Sequence, residues 1–415
     1  EAKRVGLRIQ FSFELREQNL ADSLTTVDAI LATYPLIDVL EIVTQESGVW
    51  GYAAPPDDLR RLIAETFGAD ALDDPAIAAN LRDGQHDLDR LIREIGHAVE
   101  VCTALHASDR RLPALALGVY CTVPADHAVI LRLMQRYVPP DVSFAFLLDH
   151  GNRAVARNLR DLNMPRADWE RAMIYSWIEF DGTMYILQNA VEGIRQLIAL
   201  AQAVHGGDPV QAISFNHWRT AENRTVARYA SVALLHGAVA PGDFYRAYAQ
   251  SLGIDAGDHF ASALQYIDDA DSQARDELPN VGFCYVGVWG TQGLGYFGVF
   301  KPDRLVSVRA KYEAALDHLR RCSTECVEGQ RYLVFLANRV QCTIVYLRAI
   351  EDAVALQPIC ADKSPDQLSA DERAQVCAIC DRALVGMERY MALHAEAIAD
   401  RGCEGTLISF YYTPP

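Results

Sequence analysis

The chain has 415 residues, of which 50% are hydrophobic and 22% are charged, and its formal net charge at pH 7 is -17. The length favours two domains, and the composition is that of an ordinary globular protein. The negative charge argues against nucleic acid or an anionic membrane as a partner, because phosphate contacts need clustered Lys and Arg, and no apolar run approaches the ~18 residues that span a bilayer.

Short apolar runs alternate with amphipathic stretches through the first 240 residues. Apolar strands that alternate with helices form a parallel sheet covered on both faces, so this part of the chain is predicted to be α/β. The predicted helices lie at 19–34, 57–67, 85–108, 183–204 and 220–235. The predicted strands lie at 5–13, 38–44, 114–122, 142–148, 172–178 and 210–215.

These strand–helix units fit either an open doubly wound sheet or most of a (β/α)8-type barrel. No glycine-rich phosphate loop follows the first strand, as a dinucleotide-binding fold would require. Nearly every strand instead ends in polar or aromatic residues, as at the catalytic face of a barrel. We therefore predict a barrel whose eighth strand is 210–215. The chain would then lack the first two strands, which an upstream segment or a second chain would supply.

Helical periodicity dominates after Pro241, so we predict an all-α domain over 241–415 that follows a barrel domain over 1–240. The stretch 282–298 is too rich in Gly for a regular helix, and it either packs within the helical bundle or folds over the barrel mouth. Cys377 and Cys380 have the spacing of a redox or metal motif. They lie in a helical run, however, which favours packing thiols or a disulfide, with no cofactor.

The beginning of the sequence is Glu1, with neither an initiator Met nor a signal peptide. We therefore expect a processed or excised piece of a protein. Either a secreted or periplasmic location or a cytoplasmic one stays open, and a homo-oligomer is compatible with the sequence.

Acidic side chains follow several of the predicted strands. Hydrolysis of a glycosidic bond needs two carboxyl groups, one protonated as the acid and one ionised as base or nucleophile. In the eight-strand numbering, Glu46 ends strand four and Glu179 ends strand seven, and we take them as the catalytic pair. Their alternative role is a salt bridge or a contact with a helix N-terminus. The strand ends that carry acids are Glu14, Glu46, Asp149, and Glu179 with Asp181.

Aromatic and polar residues surround the same strand ends and are predicted to bind substrate. Sugar rings stack on aromatic side chains, while sugar hydroxyls need amides and charges. One interpretation of Arg219 is a bidentate clamp on the carboxylate of a uronic acid, and the other is a structural pair with a protein carboxylate such as Glu222. The predicted substrate-binding residues are Trp50, Tyr120, Asp149, His150, Asn152, Asp181, Asn216, His217, Trp218 and Arg219.

A metal-dependent hydrolase is the rival interpretation of the histidines and aspartates at these strand ends. His150, His217, Asp149 and Asp181 have the residue types of such a site. Barrels of this class usually open with His-x-His on their first strand, and that motif occurs nowhere in this sequence. We therefore predict no metal.

Two features resemble known families of barrel glycosidases. Glu46 and Glu179 occupy the strand ends at which a large clan of glycoside hydrolases carries its acid/base and nucleophile, although Gln45 stands where that clan usually has Asn. The segments 219–229 and 241–249 resemble the passage from barrel to helices in α-glucuronidases and β-hexosaminidase-like enzymes. The resemblance implies a glycoside hydrolase acting on an oligo- or polysaccharide. His217 and Arg219 follow the last predicted strand, and their cationic character favours a glycan that contains uronic acids. A non-catalytic carbohydrate-binding barrel is the alternative.

Overall fold

The computed structural model describes residues 3, 8–15, 19–45, 54–81, 88–120, 124–147, 172–180, 182–204, 212–216, 219–278, 281–282, 300–360 and 363–412. The chain forms two compact units, of which the first contains 1–176 and 200–215 and the second contains 177–199 and 216–415. The predicted boundary at residue 240 differs from this division, since 177–199 and 216–240 belong to the second unit.

The first unit contains a parallel sheet with strand order β1-β2-β3-β4-β5-β6. Direct parallel pairing joins β1 to β2, β2 to β3, β3 to β4 and β4 to β5. The strands are β1 Gln10–Glu14, β2 Val39–Val43, β3 Ala114–Tyr120, β4 Ser143–Leu147, β5 Ala172–Trp177 and β6 Ala212–Asn216.

This strand order decides between the two predicted α/β architectures. Crossovers between parallel strands are right-handed, so strands added always on the same side place their helices on one face of the sheet. A doubly wound sheet instead needs a reversal of strand order, and the described strands have none. The sequential parallel sheet of the barrel prediction is therefore present. Closure into a barrel is not observed among the described residues and stays a prediction.

The two faces of the sheet differ in chemistry because successive side chains of a strand point to opposite sides. One face is apolar and fully buried, and helix α4 packs on β3 while also contacting helices α1, α2 and α5. The apolar face consists of Leu40, Ile42, Leu115, Leu117 and Phe144. The helices of this unit are α1 Leu20–Thr33, α2 Pro56–Phe67, α3 Pro75–Asn80, α4 Leu88–His106 and α5 Pro124–Tyr137. Between β5 and β6 the chain forms α6 Val191–Val204, of which 191–199 belong to the second unit.

On the opposite face, which we call the polar face, small and polar residues share one register. Ser12 pairs with Glu41, Glu41 with Ala116, and Ala116 with Ser143. A carboxylate and hydroxyls in this register distinguish this side of the sheet from the apolar face.

The second unit is helical. Helix α9 packs on α10, α10 on α11, and α11 on α13. One stretch among the described residues, Val327–Cys360, is long and apolar enough to cross a membrane, but 61% of its most apolar window is buried in the protein, as in a core helix. The helices are α7 Arg224–His236, α8 Pro241–Ser251, α9 Gly257–Glu277, α10 Pro302–Leu319, α11 Val327–Val354, α12 Gln357–Cys360, α13 Ala370–Ala395 and α14 Arg401–Tyr412.

Buried carboxylates of α9 explain why the segment 177–199 belongs to the helical unit. Asp271 accepts a hydrogen bond from the backbone N–H of Asn189 at 3.1 Å, and Asp268 accepts one from Glu192 at 3.1 Å. Both side chains thus bond N–H groups at the start of α6, and burial, then the neighbouring Asp271, raises the pKa of Asp268 well above its usual value. Sequence periodicity carries no signal of such a contact, which joins residues 76 apart in the case of Asp268.

The predicted roles of the cysteines and of the glycine-rich stretch are tested only in part. Cys377 and Cys380 lie on α13 as free thiols, and no group of three or more His, Cys, Asp or Glu among the described residues could hold a metal ion. The stretch 283–299 lies outside the described residues, so its predicted packing stays a prediction.

The start of α11 packs against the end of α8 at Gly329. A Cβ at this position would lie 2.1 Å from the carbonyl oxygen of Leu252, which is backbone and cannot swing away. We expect Gly329→Ala to lower the free energy of unfolding by about 1–3 kcal/mol in urea titrations. The control is Gly405→Ala in α14, where nothing lies within 4 Å of the added methyl and stability should stay the same or rise slightly. Equal effects of the two changes would contradict this packing.

Candidate functional site at the carboxyl ends of the strands

Most of the predicted site residues lie outside the described residues. Only Tyr120, Glu179 and Arg219 have described side chains, and Asn216 is described in its backbone as the last residue of β6. The predicted site residues outside the described ranges are Glu46, Trp50, Asp149, His150, Asn152, Asp181, His217 and Trp218.

Glu41 is the central charge of the polar face. Its side chain is buried, and its Oε2 accepts a hydrogen bond from Gln10 Nε2 at 2.8 Å and another from the Ser12 hydroxyl. Glycine at position 118 makes the room, since a Cβ there would lie 2.9 Å from Glu41 Oε1. Both donors are neutral side chains, so neither of these two contacts is an ion pair.

A second carboxylate, Glu94 on α4, lies at the carboxyl end of β2. Its Oε2 accepts a hydrogen bond from the backbone N–H of Gln45 at 3.0 Å, and its Oε1 accepts one from Arg90 at 2.9 Å. Burial is the largest cause that raises the pKa of Glu94, and the negative charge of Glu14 adds to it against the opposing effect of Arg90. Glu94 therefore fixes the main chain immediately before Glu46 and stands within electrostatic reach of Glu14 at the end of β1.

Tyr120, the last residue of β3, completes this edge of the sheet. Its backbone N–H donates to the Thr44 hydroxyl at 2.9 Å, and the N–H of Thr44 donates to the Gly118 carbonyl at 2.9 Å. Alternation along β3 places Tyr120 on the same face as Gly118, and so on the polar face with Glu41. The sequence prediction put Tyr120 at the end of a strand, and it lies there.

Sequence reasoning missed both Glu41 and Glu94. Glu41 has a detectable signal, because a charged residue inside the apolar run Val39–Val43 must be paired or exposed to a polar cavity. Glu94 has no such signal, since an acidic residue on an amphipathic helix is ordinarily solvated.

In the second unit, Glu179 and Arg219 form a buried ion pair. Glu179 is 0% and Arg219 is 2% exposed. Arg219 Nε donates to Glu179 Oε1, and the Arg219 backbone N–H donates to Glu179 Oε2 at 2.9 Å. Asn223 Nδ2 also donates to Oε2, at 2.9 Å. Both oxygens of Glu179 are thus hydrogen-bonded within the protein.

The pair extends into a buried network of two arginines and two glutamates. Glu222 lies 2.7 Å from Arg219 Nη1 and 3.0 Å from Arg339 Nε of α11. Burial raises the pKa of Glu222 although Arg219 and Arg339 oppose that change, whereas Glu179 and Glu222 raise the pKa of Arg219 against the effect of burial. The four charges balance, as burial in a low-dielectric interior requires.

This network bears on the two interpretations of Arg219, whose role in substrate binding stays a prediction. The guanidinium is engaged by Glu179 and Glu222, so the structure favours the structural pair over a clamp on a substrate carboxylate. The role of Glu179 as a nucleophile stays a prediction. Its burial and its hydrogen bonds are those of the alternative that the sequence left open, a salt bridge.

Comparisons with known proteins do not identify a family for this chain. No protein-family model matches the chain, and no curated protein matches it. Among solved structures, a GH138 enzyme targeting pectin rhamnogalacturonan II is similar with a TM-score of 0.49 and 10% sequence identity. The similarity covers 99% of this chain and 69% of that one. At this level it transfers neither a fold nor an activity.

Removal of Arg219 tests the structural role of the network. Arg219→Ala leaves two buried carboxylates without their shared cation, and we expect a loss of about 3–5 kcal/mol in the free energy of unfolding. Arg246→Ala is the control, because its pairs with Asp243 and Asp258 are exposed and should contribute less than about 1 kcal/mol. Urea titrations of both variants measure the difference, and similar losses would refute a special role of Arg219.

His394 of α13 makes the stability of the helical unit depend on pH. Its ring is 0% exposed, and burial, then Arg339 and Arg219, lower its pKa to about 3. The unfolded chain takes up this proton near pH 6.5 and the folded chain does not, so stability falls as the pH drops below 6.5 towards 3. From pH 7.5 to 5.5 we expect the wild type to lose about 1.4 kcal/mol more than His394→Leu. If the free energy of unfolding changed by the same amount with pH in the two proteins, the buried neutral imidazole would be contradicted.

Proposed function

We propose that the chain is a glycoside hydrolase whose site lies at the carboxyl ends of β1, β2 and β3. The observation that carries the proposal is Glu94, a partly buried carboxyl group of raised pKa that accepts a hydrogen bond from the Gln45 N–H and is affected by the charge of Glu14. Carboxyl groups with different environments at one strand edge are what acid/base cleavage of a glycosidic bond requires.

Within this proposal Glu46 is the general acid, as its position after Gln45 suggests. Glu14 is the second carboxyl group of the pair, because it is exposed at the end of the neighbouring strand. Glu94 is a positioning residue, which acts through the main chain of Gln45 and through its negative charge. The amide of Gln10 and the hydroxyl of Ser12 on the polar face are available to sugar hydroxyls.

The sequence paired Glu46 with Glu179 rather than Glu14. Glu179 would have to leave Arg219 and Asn223 before it could attack a substrate, and breaking a buried ion pair costs about 3–5 kcal/mol. That cost supports Glu14 as the partner, with Glu179 kept as the alternative to be tested in the same experiment. The uronic acid hypothesis rested on a free Arg219 and loses that support here.

The test is an activity screen with aryl glycosides and oligosaccharides, both neutral and uronic. We expect cleavage by the wild type and a drop in kcat of about 10²–10⁴-fold in Glu46→Gln and in Glu14→Gln, because proton transfer and charge stabilisation are lost. Glu65→Gln, an exposed residue of α2, is the matched control and should keep full activity.

Two further variants separate the roles. Glu94→Gln removes a negative charge beside the acid, so the basic limb of the kcat/KM profile should move to lower pH, which loss of fold alone would not produce. Glu179→Gln should lower stability rather than kcat of the remaining folded protein. Loss of kcat in Glu179→Gln with full activity in Glu14→Gln would restore the original pair. Binding of sugars without cleavage by the wild type would favour the non-catalytic carbohydrate-binding protein.

A further inference from the structure

The outward side of helix α13 carries aliphatic side chains in contact with solvent. Leu384 is 55% and Val385 is 63% exposed, although α13 packs closely on α11. The packing is close because a Cβ at Gly386 would lie 2.9 Å from the Cβ of Ala349. Beside Val385 the two helices leave an open groove of about 490 Å³, whose apolar lining includes Val345. A second protein surface that covered this groove would remove the exposed apolar area from water.

Two opposite charges at the groove lack an ion-pair partner. The two arginines Arg348 and Arg382 are each paired with a carboxylate of the same chain. Asp381 and Arg389 are exposed, line the same groove and form no ion pair within the part of the chain that the structure describes. Eight residues of helix separate them by about 12 Å along the axis, which is too far for a pair with each other.

The charges of α13 are self-complementary about Val385. Asp381 lies four residues before Val385 and Arg389 four residues after it, so one i±4 ridge carries an acid, a valine and a base in that order. Arg382 and Glu388 lie three residues before and after the same valine. Two antiparallel copies of α13, related by a two-fold axis at Val385, therefore place every acid of this set opposite a base. Parallel copies would instead place Asp381 beside Asp381.

We propose that this face of α13 is a two-fold interface with a second copy of the chain. The Val385 side chains of the two copies meet at the axis, and Leu384 is covered beside them. Asp381 of each copy pairs with Arg389 of the other. Because the two-fold axis repeats each contact, every pair occurs twice. The inference does not depend on the proposed hydrolase activity.

The alternation of charge favours a second copy over a partner of uniform charge. A basic partner would pair with Asp381 and Glu388 but would bring cations to Arg382 and Arg389, and an acidic partner would meet the reverse conflict. The formal net charge of -17 opposes unspecific association of two chains, so a dimer needs a surface where opposite charges meet. The required partner carries the same charges in reverse order, and symmetry supplies it.

The first test measures the mass of the full chain in solution by sedimentation equilibrium at micromolar concentration. We expect the wild type to have twice the mass of one chain. Asp381→Arg should weaken the dimer by about tenfold or more, because it sets like charges against each other at two symmetric places. The double variant Asp381→Arg with Arg389→Asp exchanges the charges and should restore the dimer. Glu65→Arg, which makes the same charge change at an exposed residue of α2, is the control and should stay dimeric.

The second test is a cross-link at the two-fold axis. Val385→Cys places one thiol of each copy at the axis, so mild oxidation should give a disulfide-linked dimer, and adding Asp381→Arg should suppress it. The wild type is the control. Its exposed Cys377 lies on the same helix, but two antiparallel copies would hold these thiols about 24 Å apart along the axis.

Four results would overturn the inference. A wild type with the mass of one chain would assign the groove to a different partner. A dimer unaffected by Asp381→Arg, or no recovery in the charge-exchanged variant, would exclude the proposed pairs. A dimer in which Val385→Cys does not cross-link would place the interface on another surface.

Discussion

The buried pairing of Arg219 with Glu179 and Glu222 is the interaction on which the helical unit depends. Two short segments, one after β5 and one after β6, are joined by it, and Arg339 attaches both to the long helix α11. Each charge is far from water, so none can be removed without leaving another unpaired.

In the sheet unit the corresponding constraint is that one face of the sheet is apolar and the other is polar. Helices cover the apolar face, and the polar face keeps Glu41 among small neighbours. A buried carboxylate that accepts hydrogen bonds from Gln10 and Ser12 holds β1 beside β2 through side chains as well as through the backbone ladder. The polar face and the acidic strand ends thus belong to the same sheet. That sheet carries polar groups on one side and keeps its apolar core on the other.

The strands could be predicted from the sequence because buried parallel strands are short apolar runs, and each predicted run overlaps an observed strand. The division into units could not, since the contacts that draw 177–199 to α9 join residues distant in the chain. Arg219 was recognised as a candidate from the sequence, but its buried ion pair with Glu179 could be seen only in the structure. Glu94 became a candidate only through its contact with Gln45, which no local pattern encodes.

The helical unit is discontinuous in the chain, since 177–199 is separated from 216–415 by residues that belong to the sheet unit. During synthesis, this segment leaves the ribosome well before α9, α10 and α11, whose side chains bury it. The N–H of Leu187, for example, donates to the hydroxyl of Thr343, and its carbonyl accepts from the hydroxyl of Tyr312. Both partners are synthesised more than a hundred residues later. The nascent chain therefore carries an unfinished segment after β5 until most of the polypeptide has emerged.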